Sequence, residues 1–278
     1  MILIADSGST KTDWSCVNGQ EVIRFKTIGL NPYFVSLEQI EQEISKNIPQ
    51  EIFKDSIENV HFFGSGCGRA ESKELIRKAL QLIFTKATIS VESDLFGAGL
   101  ACYGQRDAGI IAILGTGMNI GFWQGPSLLQ TPIPSLGFIL GDAGSGASLG
   151  KRLVKAIFEE QVSPDVIDKF QNTYNLSVSE LLDKLYKQPR ANAYLASFVP
   201  FLSENQNEEQ LQNIVNDAFD EFTNVYASRF SQSNRISFVG SIAKVFETNL
   251  TNSLLRKGFE ISKIVDAPIA LLEDRFMQ

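Results

Sequence analysis

The sequence predicts an α/β protein with two lobes and a helical insertion in the second, and three observations lead to this fold class. Residues 1–105 alternate between short apolar runs typical of strands and segments with apolar residues at helical spacing. The strand pattern restarts near residue 110, which indicates an internal repeat and a second lobe over residues 106–278. Residues 163–232 are almost wholly helical by periodicity, so they predict an insertion within that second lobe.

The first lobe is expected to begin with three antiparallel strands. The apolar run at residues 2–5 ends at Asp6, and a second strand alternates over residues 13–17. Asn18-Gly19 favours a tight hairpin turn, after which residues 20–27 continue as the third strand. Because a strand follows the loop after Asp6, and because that loop lacks the G-x-x-x-x-G-K-[ST] pattern, P-loop and Rossmann geometries are excluded.

Helices and strands then alternate to the end of the first lobe. The predicted order is helix 36–48, strand 60–64, helix 71–84, strand 88–91 and helix 95–102. The repeat places Ile4, Gly8 and Trp14 on Ile113, Gly117 and Trp123, so a strand, a glycine loop and a second strand recur in each lobe. The last predicted helix, from Pro268, could pack back on the first lobe.

Composition limits the classes of function. The 278 residues carry a net charge of −7 without a basic stripe, which argues against a nucleic-acid partner. No apolar run reaches the roughly 20 residues of a membrane span, and no signal peptide is recognised, so a cytoplasmic protein without a membrane partner is expected. Three widely spaced cysteines fit a reducing compartment. The single histidine, His61, lies in an apolar strand and is expected to be structural.

The segment Asp6–Thr12 is a candidate phosphate-binding loop. Gly8 permits backbone angles that turn amide groups toward an anion, and Lys11 adds positive charge. Ser9, Thr10 and Thr12 add hydroxyl donors, while the carboxylate of Asp6 suits a hydrated divalent cation such as Mg²⁺. A plain polar hairpin turn explains the same residues, so both interpretations stay open from this segment alone.

Polar or glycine-rich residues also follow three other predicted strands, at Ser93–Asp94, Gly115–Asn119 and Gly240–Ser241. Strand ends in a two-lobed α/β protein can converge on a cleft between the lobes, where two glycine loops could hold the phosphates of ATP. Asp94 is the candidate general base, because phosphoryl transfer needs a positioned acceptor for the proton of the attacking hydroxyl. The alternative for Asp94 is a helix N-cap, a role that Ser93 could also take.

Two further segments have both a binding and a structural interpretation. Gly141–Gly146 could form a backbone nest, with Asp142 gripping a ligand hydroxyl, or could simply lead into a helix. Asn31 could bind a ligand hydroxyl, although a turn role before Pro32 is equally natural.

The order of these motifs resembles the sugar kinase, Hsp70 and actin superfamily, and within it the BadF/BadG/BcrA/BcrD-type ATPases that include N-acetylglucosamine kinase. The resemblance covers nearly the whole chain and rests on six segments: Asp6-Ser-Gly8-Ser-Thr10, Gly29-Leu-Asn31, Glu92-Ser-Asp94-Leu, Gly115-Thr-Gly117-Met-Asn119, Gly141-Asp142-Ala-Gly144-Ser145 and Val239-Gly240-Ser241-Ile. It implies two ribonuclease H-like lobes, the actin-like ATPase fold, with ATP and Mg²⁺ as cofactors and a possible homodimer.

The resemblance also implies roles for individual residues. Asp94 would be the general base for a sugar hydroxyl, with O6 as the leading candidate, and Asp6 would lie beside Mg²⁺. The phosphates and adenosine of ATP would be held by Asp6, Gly8, Ser9, Thr10, Lys11, Thr12, Gly115, Thr116, Gly117, Gly240 and Ser241. The sugar would be contacted by Asn31, Asp94, Thr116, Gly117, Asn119, Ser135, Asp142 and Gly146.

By this resemblance the expected function is ATP-dependent phosphorylation of a hexose or amino sugar, with N-acetylglucosamine as the leading candidate. The alternative within the family is an ATPase that activates a partner redox enzyme, which would need cysteines placed to bridge an iron–sulfur cluster. Three departures from the family pattern occur, at Pro32, Ala143 and Pro268-Ile-Ala-Leu. The first two lie on the sugar side, so they bear on substrate identity more than on ATP binding.

Overall fold

The structure is a computed structural model that describes residues 1–126 and 129–277. Within this part the strands are β1 Ile2–Ser7, β2 Lys11–Asn18, β3 Glu21–Ile28, β4 Asn59–Gly64, β5 Thr88–Ser93, β6 Gly109–Leu114, β7 Met118–Trp123, β8 Leu129–Gln130, β9 Arg235–Val239 and β10 Glu260–Val265. The α-helices are α1 Leu37–Asn47, α2 Ala70–Ile83, α3 Asp94–Tyr103, α4 Gly137–Leu140, α5 Gly146–Phe158, α6 Pro164–Tyr174, α7 Val178–Tyr186, α8 Ala191–Ala196, α9 Val199–Glu204, α10 Glu209–Val225, α11 Ser241–Val245, α12 Glu247–Leu255 and α13 Ile269–Phe276.

The chain divides into two compact units. Unit 1 contains Met1–Ile111, Gly121–Gln130 and Ala267–Gln278, and unit 2 contains Ala112–Ile120 and Thr131–Asp266. None of the helices described in residues 1–126 and 129–277 is long and apolar enough to cross a membrane.

The first sheet has the strand order β3-β2-β1-β4-β5. Strands β1, β2 and β3 form the predicted antiparallel meander, and β1, β4 and β5 run parallel. The hairpin between β2 and β3 turns at Gly19, whose φ of 60° lies in the left-handed region that glycine adopts readily. Parallel pairing of β1, β4 and β5 brings the carboxyl ends of these three strands to one edge of the sheet.

Helices α1 and α2 cover this sheet because their apolar residues recur at helical spacing. Helix α1 begins at a capping box, in which the Ser36 hydroxyl accepts from the Gln39 amide and the Gln39 side chain accepts from the Ser36 amide. Its core face carries Ile40 and Ile44, both fully buried. Removing such side chains from water contributes about 1.5–3 kcal/mol each. The predicted helices 36–48 and 71–84 are therefore confirmed.

The terminal helix α13 packs on α3, β1 and β2. Glu273 on this helix is almost fully buried and accepts two hydrogen bonds from the Arg24 guanidinium on β3. The ring of Phe276 stacks on His61, with 4.1 Å between ring centroids. Burial lowers the pKa of His61, so the imidazole is favoured in its neutral form against this apolar contact.

The second sheet has the order β10-β9-β6-β7-β8. Read from β8, this order matches the first sheet strand for strand. Trp14 and Trp123, which the predicted repeat aligns, both lie on the second strand of their sheets and are completely buried. Helices α6 to α10 follow α5 and form the predicted helical insertion. The fold class expected from the sequence is confirmed.

Candidate functional site

Three strand ends of the first sheet lie side by side. The strand register pairs Ser7 of β1 with Gly64 of β4, and Gly64 with Ser93 of β5. The Ser65 amide donates to the Ser7 carbonyl at 2.8 Å, so the loop after β4 stays attached to the end of β1. Asp94 follows Ser93 directly. The fold therefore brings Asp94 to the same sheet edge as the loop that follows Asp6.

Ser93, and not Asp94, is the N-cap of α3. The Ser93 hydroxyl accepts a hydrogen bond from the Phe96 amide at 3.2 Å, as an N-cap side chain does. Asp94 is the first residue of the helix, where its Oδ1 accepts from the Leu95 amide at 2.8 Å. Ser93 therefore caps the helix, and Asp94 is not needed for that role. The Asp94 side chain lies at the positive end of a ten-residue helix.

Asp6 lies within a cluster of charged groups. The pKa of the Asp6 carboxyl is raised to about 7, by burial first and then by the carboxylates of Asp94 and Asp13, while Lys11 opposes the rise. A carboxyl group in this setting is held partly protonated by its surroundings, and a cation beside it would favour the ionised form. This donor chemistry fits Mg²⁺, which proteins commonly bind through one or two carboxylates together with substrate phosphates.

Gly8 does not need the unusual backbone that the sequence analysis assigned to it. Its φ is not in the left-handed region, and a Cβ at this position would meet the Lys11 carbonyl oxygen at an ordinary 3.6 Å. The sterically required glycine is Gly29, where a Cβ would lie 2.4 Å from the Gly8 carbonyl oxygen. The Gly29 amide donates to the Thr10 carbonyl at 2.9 Å, which holds the two loops together. The sequence motif contained Gly29, but its steric role was missed.

The Thr12 hydroxyl points into the fold, where it supports the loop, and not toward solvent. The side chain is completely buried, and its hydroxyl donates to the Ile28 carbonyl at 2.9 Å. Ser7 Oγ lies 2.8 Å from Thr12 Oγ1 and accepts from the Leu30 amide at 3.1 Å. In this series of hydrogen bonds Leu30 donates to Ser7, Ser7 donates to Thr12, and Thr12 donates to Ile28. In this structure the proton of the Thr12 hydroxyl is used within the fold, and the role of Thr12 at the phosphates stays a prediction.

The remaining loop residues are more accessible. Ser9 is half-buried, and Thr10 and Lys11 are exposed. The Lys11 ammonium lies 2.8 Å from a carboxylate oxygen of Asp13. The loop tip thus combines two hydroxyls with a lysine whose charge is shared with a neighbouring carboxylate.

Asn31 has the turn role that the sequence left open, and its contact with a ligand hydroxyl stays a prediction. It is buried, its Oδ1 accepts from the Tyr33 amide at 3.0 Å in a turn, and its Nδ2 donates to Ser65 Oγ at 3.3 Å. A Cβ on Gly66 would lie 2.5 Å from Asn31 Oδ1. The side chain is therefore held firmly between its own turn and the loop after β4, at the sheet edge near Asp94.

In unit 2 the loop Gly115–Gly117 joins the start of α5. The Gly146 amide donates to the Gly115 carbonyl at 2.8 Å, and the Ala147 amide donates to the Thr116 carbonyl at 3.0 Å. A Cβ on Gly115 would meet no atom within 4 Å, so the backbone there faces open space. An open, side-chain-free backbone is what close approach of a phosphate requires.

Asp142 lies against this loop. A Cβ on Gly117 would be 3.0 Å from Asp142 Oδ2, and the Asp142 side chain is largely buried. Its φ of 61° is in the left-handed region, which a residue other than glycine adopts at a cost and often at a functional site. The structure thus brings Asp142 together with Gly117, and the intervening sequence is too long for local patterns to show this.

Gly240 is required by close packing at the end of β9. Its φ is 119°, and a Cβ would lie 2.4 Å from the Leu114 carbonyl oxygen at the end of β6. The Gly240 amide donates to the Val265 carbonyl at 2.8 Å. Ser241 follows as an exposed residue at the start of α11. The turn after β9 is therefore held next to the strand that leads into Gly115.

The other predicted sugar contacts differ in their settings. Asn119 is half-buried on β7, and its Oδ1 accepts from the Ile120 amide at 3.0 Å. Ser135 is exposed and lies outside the helices and strands. Gly146 begins α5 with its amide used by Gly115. Of these three, only Gly146 is tied directly to the glycine loop by a described hydrogen bond.

The cysteines do not form a metal site in the described part of the chain. Among residues 1–126 and 129–277, no group of three or more His, Cys, Asp or Glu side chains could hold a metal ion. Cys67 is completely buried, and burial, followed by the nearby Asp94 carboxylate, raises the pKa of its thiol to about 12. A thiol in this setting is a poor nucleophile and a poor ligand.

Many solved structures are similar to the chain, among them the following three. One, described as "putative N-acetylglucosamine kinase" from Porphyromonas gingivalis, is 30% identical with a TM-score of 0.92, covering 100% of this chain and 99% of that one. A second with the same description, from Chromobacterium violaceum, is 14% identical with a TM-score of 0.66, covering 100% and 98%. The third, MreB 5 of Spiroplasma citri bound to AMPPNP, is 11% identical with a TM-score of 0.64, covering 98% and 93%.

The second and third similarities show the fold alone, which is the actin-like ATPase fold in which the MreB structure holds a nucleotide analogue. No protein-family model and no curated protein matches the chain.

Proposed function

The chain belongs to the same family as the Porphyromonas gingivalis protein, and from that premise we propose that it transfers a phosphoryl group from ATP to a sugar hydroxyl. The leading substrate is N-acetylglucosamine, phosphorylated at its 6-hydroxyl, within the wider class of hexoses and amino sugars. Within the superfamily we assign the chain to the BadF/BadG/BcrA/BcrD-type group on the six motifs of its sequence.

The observation that supports this proposal most strongly is the strand register, which brings Asp94 to the same sheet edge as the end of β1 that carries Asp6. Phosphoryl transfer to an alcohol needs a cation on the phosphates and a carboxylate that accepts the hydroxyl proton. Two carboxylates in one row of parallel strand ends, at β1 and β5 with β4 between them, suit those two separate tasks.

In this proposal Asp94 accepts the proton of the attacking sugar hydroxyl. Asp6 holds Mg²⁺, which when bound neutralises charge on the phosphates. The loop tip at Ser9, Thr10 and Lys11 donates to phosphate oxygens, while Thr12 holds the loop in shape through Ser7. Asn31 keeps a sugar hydroxyl in place from its fixed position beside Ser65.

Unit 2 carries its own set of candidate groups. The open backbone at Gly115–Gly117 leaves room for the phosphates to bind close to the chain. The turn at Gly240-Ser241 packs against the adenosine. Asp142 accepts hydrogen bonds from sugar hydroxyls, because an ionised carboxylate with four lone-pair sites can bind two donors. Asn119, Ser135, Thr116 and Gly146 remain candidates for further sugar contacts.

The alternative, activation of a partner redox enzyme, has weaker support. A cluster shared between two subunits needs cysteine thiolates at an accessible surface. Cys67 and Cys16 are buried with raised pKa values, and Cys102 is partly buried on α3. These settings oppose the formation of such a cluster.

The proposal is tested by measuring ADP release from ATP with N-acetylglucosamine, glucosamine, N-acetylmuramate, glucose and no sugar. Release that depends on one of the sugars, with a phosphorylated sugar as product, supports the kinase. Release at the same rate with every sugar and without sugar would contradict it and favour an ATPase.

A further inference from the structure

Tyr226 lies at the end of α10, outside every motif that the sequence analysis identified. Only 9% of the residue is exposed. A Cβ added to Gly141 would lie 3.2 Å from the Tyr226 hydroxyl oxygen, a closer approach than packed side chains normally make. The hydroxyl therefore lies directly against the bend that precedes Asp142, in space that a side chain at position 141 would need.

The bend itself needs support from its surroundings. Asp142 has a left-handed φ of 61°, and such a conformation persists only where neighbouring groups hold it. One support is the hydrogen bond from the Ser145 amide to the Asp142 carbonyl, at 3.1 Å. Another is Gly117, which leaves room for the Asp142 carboxylate. Tyr226, at the C-terminal end of α10, packs against the bend at Gly141.

The Tyr226 hydroxyl keeps its proton in this setting. Burial raises its pKa, and the carboxylates of Asp142 and Glu221 raise it further. Glu221 is already paired with Arg152 of α5. A protonated hydroxyl is a hydrogen-bond donor, and the carboxylate of Asp142 is an acceptor within its electrostatic reach.

We propose that Tyr226 is a positioning residue for Asp142. The buried hydroxyl of Tyr226 holds the Gly141–Asp142 bend so that the Asp142 carboxylate meets the hydroxyls of the sugar substrate. This inference rests on the proposed function for the identity of the ligand. The positioning itself concerns contacts within unit 2 and can be measured without any ligand.

The test compares Tyr226→Phe, which keeps the buried ring and removes only the hydroxyl, with the control Tyr194→Phe. Tyr194 is a partly buried tyrosine of α8 whose ring packs on Phe198. In Tyr226→Phe, KM for the sugar is expected to rise about tenfold, the size of effect that removing a polar hydroxyl from a buried site typically has. KM for ATP should stay within about twofold, because the Tyr226 hydroxyl lies against the bend proposed to meet the sugar, and a misfolded fraction would lower kcat without changing either KM. Equal rises in both, or no change in either, would overturn the proposal.

A double-mutant cycle with Asp142→Asn measures the coupling directly. Asn tolerates the left-handed region as Asp does, so this variant removes charge and leaves the backbone conformation accessible. If Tyr226 acts through Asp142, adding Tyr226→Phe to Asp142→Asn should change the sugar KM by less than about twofold. Independent, multiplying effects would contradict the proposal.

If the wild-type chain phosphorylates no sugar, the proposed function fails and the same cycle is measured by urea unfolding. Non-additive losses of stability at Tyr226 and Asp142 would then support the positioning role alone. Additive losses would overturn it.

Discussion

Asp6 and Asp94 occupy one sheet edge although they belong to different strand ends, and their charges interact. Burial of Asp6, followed by the charge of Asp94, raises the pKa of the Asp6 carboxyl to about 7. Parallel pairing of β1, β4 and β5 creates this proximity, because it brings the ends of the three strands into one row. Two carboxyl groups that oppose each other's ionisation can take separate tasks once a cation binds beside one of them.

Asp94→Asn should bind ATP nearly as well as the wild type while losing phosphorylation. The amide cannot accept the hydroxyl proton, and general base catalysis typically contributes about 10²–10⁴-fold to the rate. Steady-state ADP release and nucleotide binding by calorimetry measure the two effects. The control is Asp55→Asn, which removes an exposed carboxylate of the short 3₁₀ helix Lys54–Ser56. Near-full turnover by Asp94→Asn would refute the assignment of the base.

Gly29→Ala should distort the loop after Asp6. The added Cβ would lie 2.4 Å from a backbone oxygen of Gly8, and a backbone contact of this kind cannot be relieved by a rotamer change. We expect a loss of about 1–3 kcal/mol in unfolding free energy together with a higher KM for ATP. Gly68→Ala is the matched control, because a Cβ there would meet no atom within 4 Å. Wild-type stability and KM in Gly29→Ala would show that the loop adapts.

The ion pair between Glu273 and Arg24 predicts a pH-dependent contribution to stability. The hydrogen bond from Arg24 lowers the pKa of Glu273 in the folded chain. The pair therefore stabilises the fold fully above the ordinary glutamate pKa, and this contribution is lost as pH falls through the lowered value.

Urea unfolding of Glu273→Gln tests this contribution. At pH 7 the variant should be less stable than the wild type by about 1 kcal/mol, a modest figure because the arginine is exposed. As the pH falls through the lowered pKa of Glu273, the difference should shrink toward zero. A difference that stayed constant over this range would show that packing, and not charge, explains the loss.

Cys67 should resist thiol reagents in the folded protein. Its side chain is completely buried and the pKa of its thiol is raised to about 12, so little reactive thiolate forms. With an aromatic disulfide reagent at pH 8, Cys102 should react before Cys67, and Cys67 only after unfolding in urea. Mass spectrometry of digested protein identifies the modified residue, with Cys102→Ala as control. Rapid labelling of native Cys67 would instead favour an accessible thiol and the redox-linked alternative.

The sequence by itself determined the features that depend on near neighbours. Asn18-Gly19 specifies the hairpin because glycine tolerates a positive φ there, and Ile40 and Ile44 specify a helix because they recur on one face. The order of elements and their recurrence also determined the two-sheet fold class. The sequence marked Asp6 and Asp94 as candidates because each lies at or just after the end of an apolar strand. It marked Asp142 because this residue lies in a glycine-rich segment before a helix.

The tertiary structure alone decided the features that depend on residues distant in the chain. It made Gly29, and not Gly8, the sterically required glycine, and it directed the Thr12 hydroxyl into the fold. It also brought Tyr226 against Gly141 from a helix without any motif. The physical reason is that steric exclusion and hydrogen bonding act over a few ångströms in space. A sequence pattern registers only the neighbours that the chain itself keeps close.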